Sequence, residues 1–253
     1  MAARAVALGH EVLGTATTTA GGWLALDIRS RDAVLALLSA VRPQVVINVA
    51  ARMDDWRVCA DGAGNVAVGA AAAGARLVHM SSDVVHGGRP EPYTEADLPA
   101  PLSRYGCSKA AGETAVAAID PGAAIVRTSL IVGTDDSQHV RMSHDMITGH
   151  RPGVLFTDEI RCPVHVDDLA AATVELAGSD YAGILNVAGP EAISRADFGR
   201  LVARRFGLDP GTVPTGRLAD ANLGPRAAEV RLDVTRAQRL LTATLRPVTE
   251  SLR

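Results

Sequence analysis

A phenol and an ammonium stand four positions apart in a chain that otherwise carries its positive charge on arginine. Of 25 basic residues, 24 are arginine, and the single lysine, Lys109, follows Tyr105 by four positions. On a helix these two residues share a face, so the ammonium can lie close to the phenol. A free tyrosine has a pKa of about 10, which a neighbouring positive charge lowers. The pair therefore indicates a general acid tuned toward neutral pH.

The use of lysine at position 109 supports this interpretation. Lysine is a compact point charge that fits beside a phenol or between ribose hydroxyls, whereas arginine is a broad fork that always stays charged. A solvated lysine on a helix surface is the alternative, and the residue pattern alone leaves it open.

Two serines precede this pair at the end of an apolar run. Ser81 and Ser82, in HMSSD at 79–83, follow a predicted buried strand, where a hydroxyl can hydrogen-bond a substrate carbonyl. Strand-end serines more often serve as caps, so alone they indicate little. About one crossover before Tyr105 and Lys109, they complete a set of hydroxyl, phenol and ammonium.

The elements that position this set alternate between strands and helices. Such alternation predicts a doubly wound parallel sheet, because parallel strands need a crossover connection. Apolar runs predict strands at 11–15, 23–27, 44–50, 76–82, 123–129 and 183–189. Helical stretches lie at 30–41, 62–74, 103–119, 139–150, 165–177 and 194–207, and a short extended piece followed by a helix at 229–241. The second half predicts a smaller lobe.

The start of the chain departs from this alternation. A helix leads straight into the first predicted strand, and G-x-G-x-x-G occurs nowhere in the sequence. A dinucleotide-binding sheet of this kind begins with a strand of about five residues and a glycine-rich turn. We expect the first strand to be missing, which leaves two neighbouring strands without hydrogen-bond partners. The chain is then either truncated or a degenerate relative of such a fold.

Composition excludes several classes of function. The net charge of −3 is dispersed, so no basic stripe indicates nucleic acid. The three cysteines, Cys59, Cys107 and Cys162, fit neither a disulfide framework nor a zinc site, and we expect a reducing cytoplasm and no bound metal. No apolar run approaches the roughly 18 residues of a membrane span.

The segment 79–113 resembles the extended short-chain dehydrogenase/reductases, and among them the dTDP-4-dehydrorhamnose reductase family. That family's pattern of S-T-D, then P-Y-T-E, then P-L-x-x-Y-G-x-S-K-x-x-G-E is similar to 81–83, 92–95 and 101–113 here. Further similarity covers 26–32, 43–51, 126–133, 161–170 and 183–198. The resemblance implies an α/β fold with a Rossmann-type doubly wound parallel sheet and a small C-terminal substrate lobe. Residues 1–130 would bind NAD(P), and 131–253 would form the substrate lobe and the last sheet elements.

The resemblance also implies roles for individual residues. Ser82 takes the carbonyl-binding place of the family's threonine, Tyr105 protonates the carbonyl oxygen, and Lys109 lowers the tyrosine's pKa and holds the nicotinamide ribose. The implied cofactor-binding residues are Asp27, Ile28, Ala50, Ala51, Tyr105 and Lys109, the first two flanking the adenine. The implied substrate-binding residues are Ser82, Asp83, Leu130 and Arg161, with Arg52 a further candidate for a phosphate or sugar.

Three departures from the family pattern qualify these roles. Leu130 replaces a tryptophan that holds the deoxysugar nucleotide, which leaves the substrate's identity open, and Cys59 replaces an asparagine. The stretch GTATTT at 14–19 offers no carboxylate to the adenosine ribose, which favours NADPH over NADH.

We therefore expect an NADPH-dependent reductase of a 4-keto-deoxysugar nucleotide, with NADH left open as the cofactor. The alternatives are an NAD-dependent nucleotide-sugar epimerase or dehydratase, and a non-catalytic binding or regulatory protein on the same fold. The expected partner is the nucleotide-sugar substrate, without nucleic acid or membrane, and a homodimer is left open.

Overall fold

A computed structural model describes residues 1–19, 21–133 and 135–252. The strands are β1 Thr15–Ala16, β2 Leu24–Ala25, β3 Val45–Asn48, β4 Arg76–Met80, β5 Ala124–Arg127, β6 Ile131–Val132, β7 Leu155–Phe156, β8 Ile160–Arg161, β9 Val164–His165, β10 Gly183–Asn186, β11 Ile193–Ser194 and β12 Thr215–Gly216. The helices are α1 Ala2–Ala7, α2 Arg31–Val41, α3 Trp56–Cys59, α4 Asp61–Ala73, α5 Arg104–Ile119, α6 Gln138–Ile147, α7 Val166–Ala177, α8 Arg195–Arg205, α9 Thr235–Leu240 and α10 Val248–Ser251. The predicted alternation of strands and helices is confirmed.

Two compact units share the chain, and their segments interleave. The first unit comprises Met1–Ser82, Arg104–Arg127 and Ala170–Leu185, and the second comprises Asp83–Ser103, Thr128–Leu169 and Asn186–Arg253. The stretch between β4 and α5 thus belongs to the second unit, although it lies within the first half of the sequence. The assignment of 1–130 to cofactor binding and 131–253 to substrate binding stays a prediction.

A four-stranded sheet forms the centre of the first unit. Its strand order is β10-β5-β4-β3, and β4 pairs in parallel with both β3 and β5. Strands β1 and β2 form a separate parallel pair. The described strands of this unit thus form a parallel pair and a set of four.

Small and branched side chains pack the helices onto this sheet. A core cluster of the unit joins α2, α4 and α5 to the strands through Val34, Val66, Ala67, Ala70, Leu77, Val116 and Ile125. Helix α2 begins at Ser30, whose side chain accepts a hydrogen bond from the Ala33 amide, as expected for an N-cap. Helix α5 approaches α3 closely at Gly112, where an added Cβ would lie 2.4 Å from the Cys59 carbonyl oxygen.

The second unit is built from short strand pairs and helices. Strands β6 and β9 and strands β7 and β12 pair in parallel, whereas β8 and β11 pair antiparallel. Helix α8 begins after Ser194, which accepts a hydrogen bond from the Asp197 amide, so the predicted start of this helix is confirmed. Helices α6 and α8 pack around Val140, Phe198 and Val202. Across the ranges given above, no helix combines the length and the apolar character needed to cross a bilayer.

Candidate active site

Helix α5 carries three chemically active side chains spaced one turn apart. Tyr105, Lys109 and Glu113 occupy positions i, i+4 and i+8 of this helix, which places them along one side. Tyr105 is half-buried, whereas Lys109 is only 2% exposed and donates a hydrogen bond from Nζ to the Met80 carbonyl at 2.5 Å. The alternative of a solvated surface lysine is therefore wrong.

Burial and neighbouring groups shift the pKa of Lys109 in opposite directions. Burial lowers the pKa of the ammonium, because a charge is less stable away from water, and nearby Cys59 and Glu113 raise it. The buried ammonium and the phenol of Tyr105 belong to residues on the same side of the helix.

The end of strand β4 holds the two serines in different ways. Ser81 is buried and donates from Oγ to Glu113 Oε1 at 2.5 Å, while its amide donates to the Val126 carbonyl at 2.6 Å. Ser82, the next residue, is half-buried. The hydroxyl of Ser81 is bound to Glu113, and the substrate-binding role of Ser82 stays a prediction.

Glu113, which accepts the hydrogen bond from Ser81, also forms a buried ion pair. Arg127, which is fully buried, donates from Nε and Nη2 to the two carboxylate oxygens of Glu113, at 3.0 and 2.8 Å for the shortest contacts. Sequence reasoning assigned no role to Glu113 or Arg127. The signals that could have found them are a glutamate one turn beyond Lys109 and an arginine that ends the apolar strand AIVR.

A second buried contact orders the loop that follows strand β3. Asn48 Nδ2 lies 3.2 Å from His79 Nδ1, and Asn48 Oδ1 accepts from the Ala50 amide at 3.1 Å. Burial, with a contribution from Lys109, lowers the pKa of His79 to about 3, so the neutral ring accepts from the asparagine amide. This contact places half-buried Ala50 and exposed Ala51, the predicted cofactor-lining residues, at the end of the sheet.

The predicted adenine-flanking residues follow strand β2. Asp27 accepts hydrogen bonds from the Arg29 amide and guanidinium, and these bonds lower the pKa of Asp27 to about 2. Ile28 is buried in the core, and its carbonyl accepts from Asn65 Nδ2 at 3.0 Å. The structure thus shows a well-anchored segment here, and its role in cofactor binding stays a prediction.

The remaining substrate candidates lie in the second unit. Asp83 accepts from Ser129 Oγ at 2.6 Å and lies 3.8 Å from Arg161 Nε, so the structure brings Asp83 and Arg161 together. Arg161 is buried and also donates to the carbonyls of Ala227 and Ala228. Leu130 is half-buried.

One further candidate, Arg52, lies in the first unit. It is exposed beside Asp54, as expected of a surface ion pair. The substrate roles of this arginine and of the candidates in the second unit stay predictions.

A parallel α/β sheet, followed after its strand β4 by a helix with tyrosine and buried lysine one turn apart, defines a protein of Rossmann-type fold. The family model described as the RmlD substrate binding domain matches residues 1–253, so the chain belongs to that family.

Individual relatives agree with this assignment. The chain is 32% identical over 267 residues to the dTDP-4-dehydrorhamnose reductase of Mycolicibacterium smegmatis, covering 100% of this chain and 79% of that protein. It is also 32% identical over 180 residues to the methionine adenosyltransferase 2 subunit beta of Pongo abelii, covering 66% of this chain and 52% of that protein. The crystal structure of dTDP-4-dehydrorhamnose reductase from Bacillus anthracis in complex with NADP superimposes with a TM-score of 0.80, at 26% identity, covering 90% of this chain and 85% of that chain.

Proposed function

We propose that this protein reduces the 4-keto group of a deoxysugar nucleotide with NADPH. The observation that carries the proposal is the buried ammonium of Lys109 one helical turn from Tyr105, in a family whose relatives include dTDP-4-dehydrorhamnose reductases. A buried charge at this position has a stability cost, which a purely structural role does not explain.

The chain's own residues divide the chemistry between them. Tyr105 donates its phenolic proton to the carbonyl oxygen of the substrate, and the charge of Lys109 makes that proton available near neutral pH. The hydroxyl of Ser82 donates a hydrogen bond to the same oxygen and fixes its direction. NADPH supplies the hydride that reaches the carbonyl carbon.

The donor groups present suit a dinucleotide. An ammonium has three donors, and Lys109 gives one to Met80, so two are available to ribose hydroxyls. Ala50 and Ala51 offer apolar surface to the rest of the cofactor, whereas Ile28 is buried in the core. The residues after strand β1 are threonines at 17–19, all exposed, and no carboxylate among them repels a 2′-phosphate. The B. anthracis relative binds NADP, which agrees with this preference.

The test is a direct assay of the full chain with NADPH and dTDP-4-dehydrorhamnose. We expect one NADPH to be oxidised for each sugar nucleotide reduced, with NADH a poorer donor. A sugar nucleotide that changes without net NADPH oxidation would support the epimerase alternative instead.

A second candidate is a non-catalytic subunit that binds the same ligands, favoured by the similarity to the methionine adenosyltransferase subunit. Binding of NADPH, measured by quenching of its fluorescence, without turnover of any 4-keto-sugar nucleotide would favour this candidate over the reductase. The expected location in the cytoplasm and the open question of a homodimer stay predictions.

A further inference from the structure

Glu113 connects three elements of the first unit through one carboxylate. Its oxygens accept from Ser81 at the end of β4 and from Arg127 at the end of β5, while its backbone belongs to α5. The side chain of Glu113 is 5% exposed and that of Arg127 is fully buried. Removing one partner of such a pair leaves a buried charge without compensation, so the arrangement is sensitive to change at any of its members.

The same helix holds the end of β4 at a second point. Lys109 donates to the carbonyl of Met80, and Glu113 accepts from the hydroxyl of Ser81, the next residue. Two consecutive residues of the strand are thus fixed by two consecutive turns of α5. Ser82 follows directly on the strand, and Tyr105 lies one turn before Lys109 on the helix. The contacts of Lys109 with Met80 and of Glu113 with Ser81 therefore fix the strand end that carries Ser82 against the helix that carries Tyr105.

We propose that Glu113 is a positioning residue for the reduction, which fixes the end of strand β4 against helix α5 and supplies the counter-charge of Lys109. The inference rests on the proposed function insofar as it assigns the reduction to Ser82, Tyr105 and Lys109. Its charge part, the coupling of Glu113 to Lys109, does not depend on that assignment, and it is argued from two buried side chains one helical turn apart that bind consecutive residues, Met80 and Ser81.

The groups that face Lys109 come from three packed elements. They are Cys59 of α3, His79 of β4 and Glu113 of α5, with Arg127 of β5 paired to Glu113. Tyr105 precedes Lys109 by one turn of α5. His79 is neutral near pH 7, because burial lowers its pKa to about 3. Glu113 is the carboxylate of this set, and together with Cys59 it raises the pKa of Lys109 against the effect of burial. Neutralising Glu113 therefore favours loss of the proton from Lys109.

The chain's single lysine permits a direct measurement of this coupling. Protein labelled with 13C at the lysine side chain gives one lysine signal, whose titration by NMR reports the pKa of Lys109 without cofactor or substrate. In Glu113→Gln, an uncharged variant of nearly equal size, we expect this pKa to fall by about 1 unit or more. Ser81→Ala is the matched control, since it removes a hydrogen bond to Glu113 and leaves the charge in place. Superimposable titrations of Glu113→Gln and wild type would overturn the charge part of the proposal.

Turnover tests the positioning part. We expect kcat of Glu113→Gln to fall about 10- to 100-fold with the Kd for NADPH nearly unchanged, because displacement of a reacting group by about 1 Å costs about 100-fold. The alkaline limb of its kcat profile should move to lower pH, whereas Ser81→Ala should lower kcat and leave that limb in place. A Glu113→Gln variant with the wild-type kcat and pH profile refutes the assignment.

A variant that keeps the charge separates the two parts and covers the case in which Glu113→Gln does not fold. Glu113→Asp retains a carboxylate but withdraws it from Ser81 by one methylene. We expect the pKa of Lys109 to stay near its wild-type value and kcat to fall about tenfold or more. Wild-type kcat in Glu113→Asp contradicts positioning. If the wild-type chain itself oxidises no NADPH, the proposed function fails, and the titration of Lys109 still decides whether Glu113 is its counter-charge.

Discussion

The close approach of helices α5 and α3 at Gly112 predicts that Gly112→Ala destabilises the protein. An added Cβ would lie 2.4 Å from the Cys59 carbonyl oxygen and 3.2 Å from the Ala63 side chain. Ordinary contacts between such atoms begin near 3.5 Å, so α5 must move by about 1 Å. Overpacking of this kind costs about 1–3 kcal/mol, and the better helix propensity of alanine returns about 1 kcal/mol. We expect a net loss of up to about 2 kcal/mol in the free energy of unfolding.

Gly64 of helix α4 provides a matched control for this prediction. It is also a buried helical glycine, but an added Cβ would lie 3.5 Å from the Ala115 side chain, an ordinary contact. Gly64→Ala should therefore keep the gain in helix propensity and stabilise the protein by up to about 1 kcal/mol. Urea unfolding of the two variants measures the difference. A Gly112→Ala variant as stable as Gly64→Ala would refute the packing argument.

Helix α5 also carries Tyr105 and Lys109, so its displacement bears on activity. A shift of about 1 Å predicts a loss of turnover of about 100-fold in Gly112→Ala, even at temperatures where the variant is fully folded. Turnover unchanged in folded Gly112→Ala would show that the site tolerates movement of this helix.

Three further predictions concern the site itself. Lys109→Arg should lose turnover by about 100-fold or more although charge is conserved, because a broad fork does not fit the buried space beside Met80; NADPH oxidation measures this loss. Tyr105→Phe should lose turnover to a similar extent with NADPH binding retained, and unchanged turnover would exclude Tyr105 as the acid. Because His79 has its pKa lowered to about 3, the unfolded chain binds a proton that the native chain does not, and stability should fall as the pH falls from about 6.5 to about 3. His79→Gln should flatten this dependence in urea unfolding between pH 7.5 and 5.5.

The elements with strong local signals agree with the prediction from sequence, whereas the lengths of the first two strands do not. The predicted strands at 11–15 and 23–27 are each two residues long, as β1 Thr15–Ala16 and β2 Leu24–Ala25. A strand extends as far as its partners provide hydrogen bonds, and an isolated pair of strands is only marginally stable. The sequence also does not predict that the two units interleave. Residues 83–103 belong to the second unit, but their sequence is that of an ordinary connection between β4 and α5.

The spacing of Tyr105 and Lys109 predicted their place on one helix, but it left the burial of Lys109 undetermined. Helix α5 is rich in alanine and glycine, so it has no apolar stripe that shows which side faces the sheet. The partners of Glu113 could not be predicted from local sequence either, because Ser81 is 32 positions away and Arg127 is 14 positions away. Such pairs depend on the packing of α5 against β4 and β5.

A buried charge in a helix of small residues is nevertheless interpretable once its neighbours are known. Lys109 and Glu113 lie one turn apart, and each binds the end of the same strand, so neither charge can move without the other contact changing. Arg127 pairs with Glu113 from the adjacent strand, whereas Lys109 lies one helical turn from Tyr105. An ion pair that only stabilised the fold could be replaced by apolar side chains of similar volume at little cost. Under the proposed function, the requirement for one ammonium near Tyr105 is the physical reason that we give for a lysine at position 109 of this arginine-rich chain.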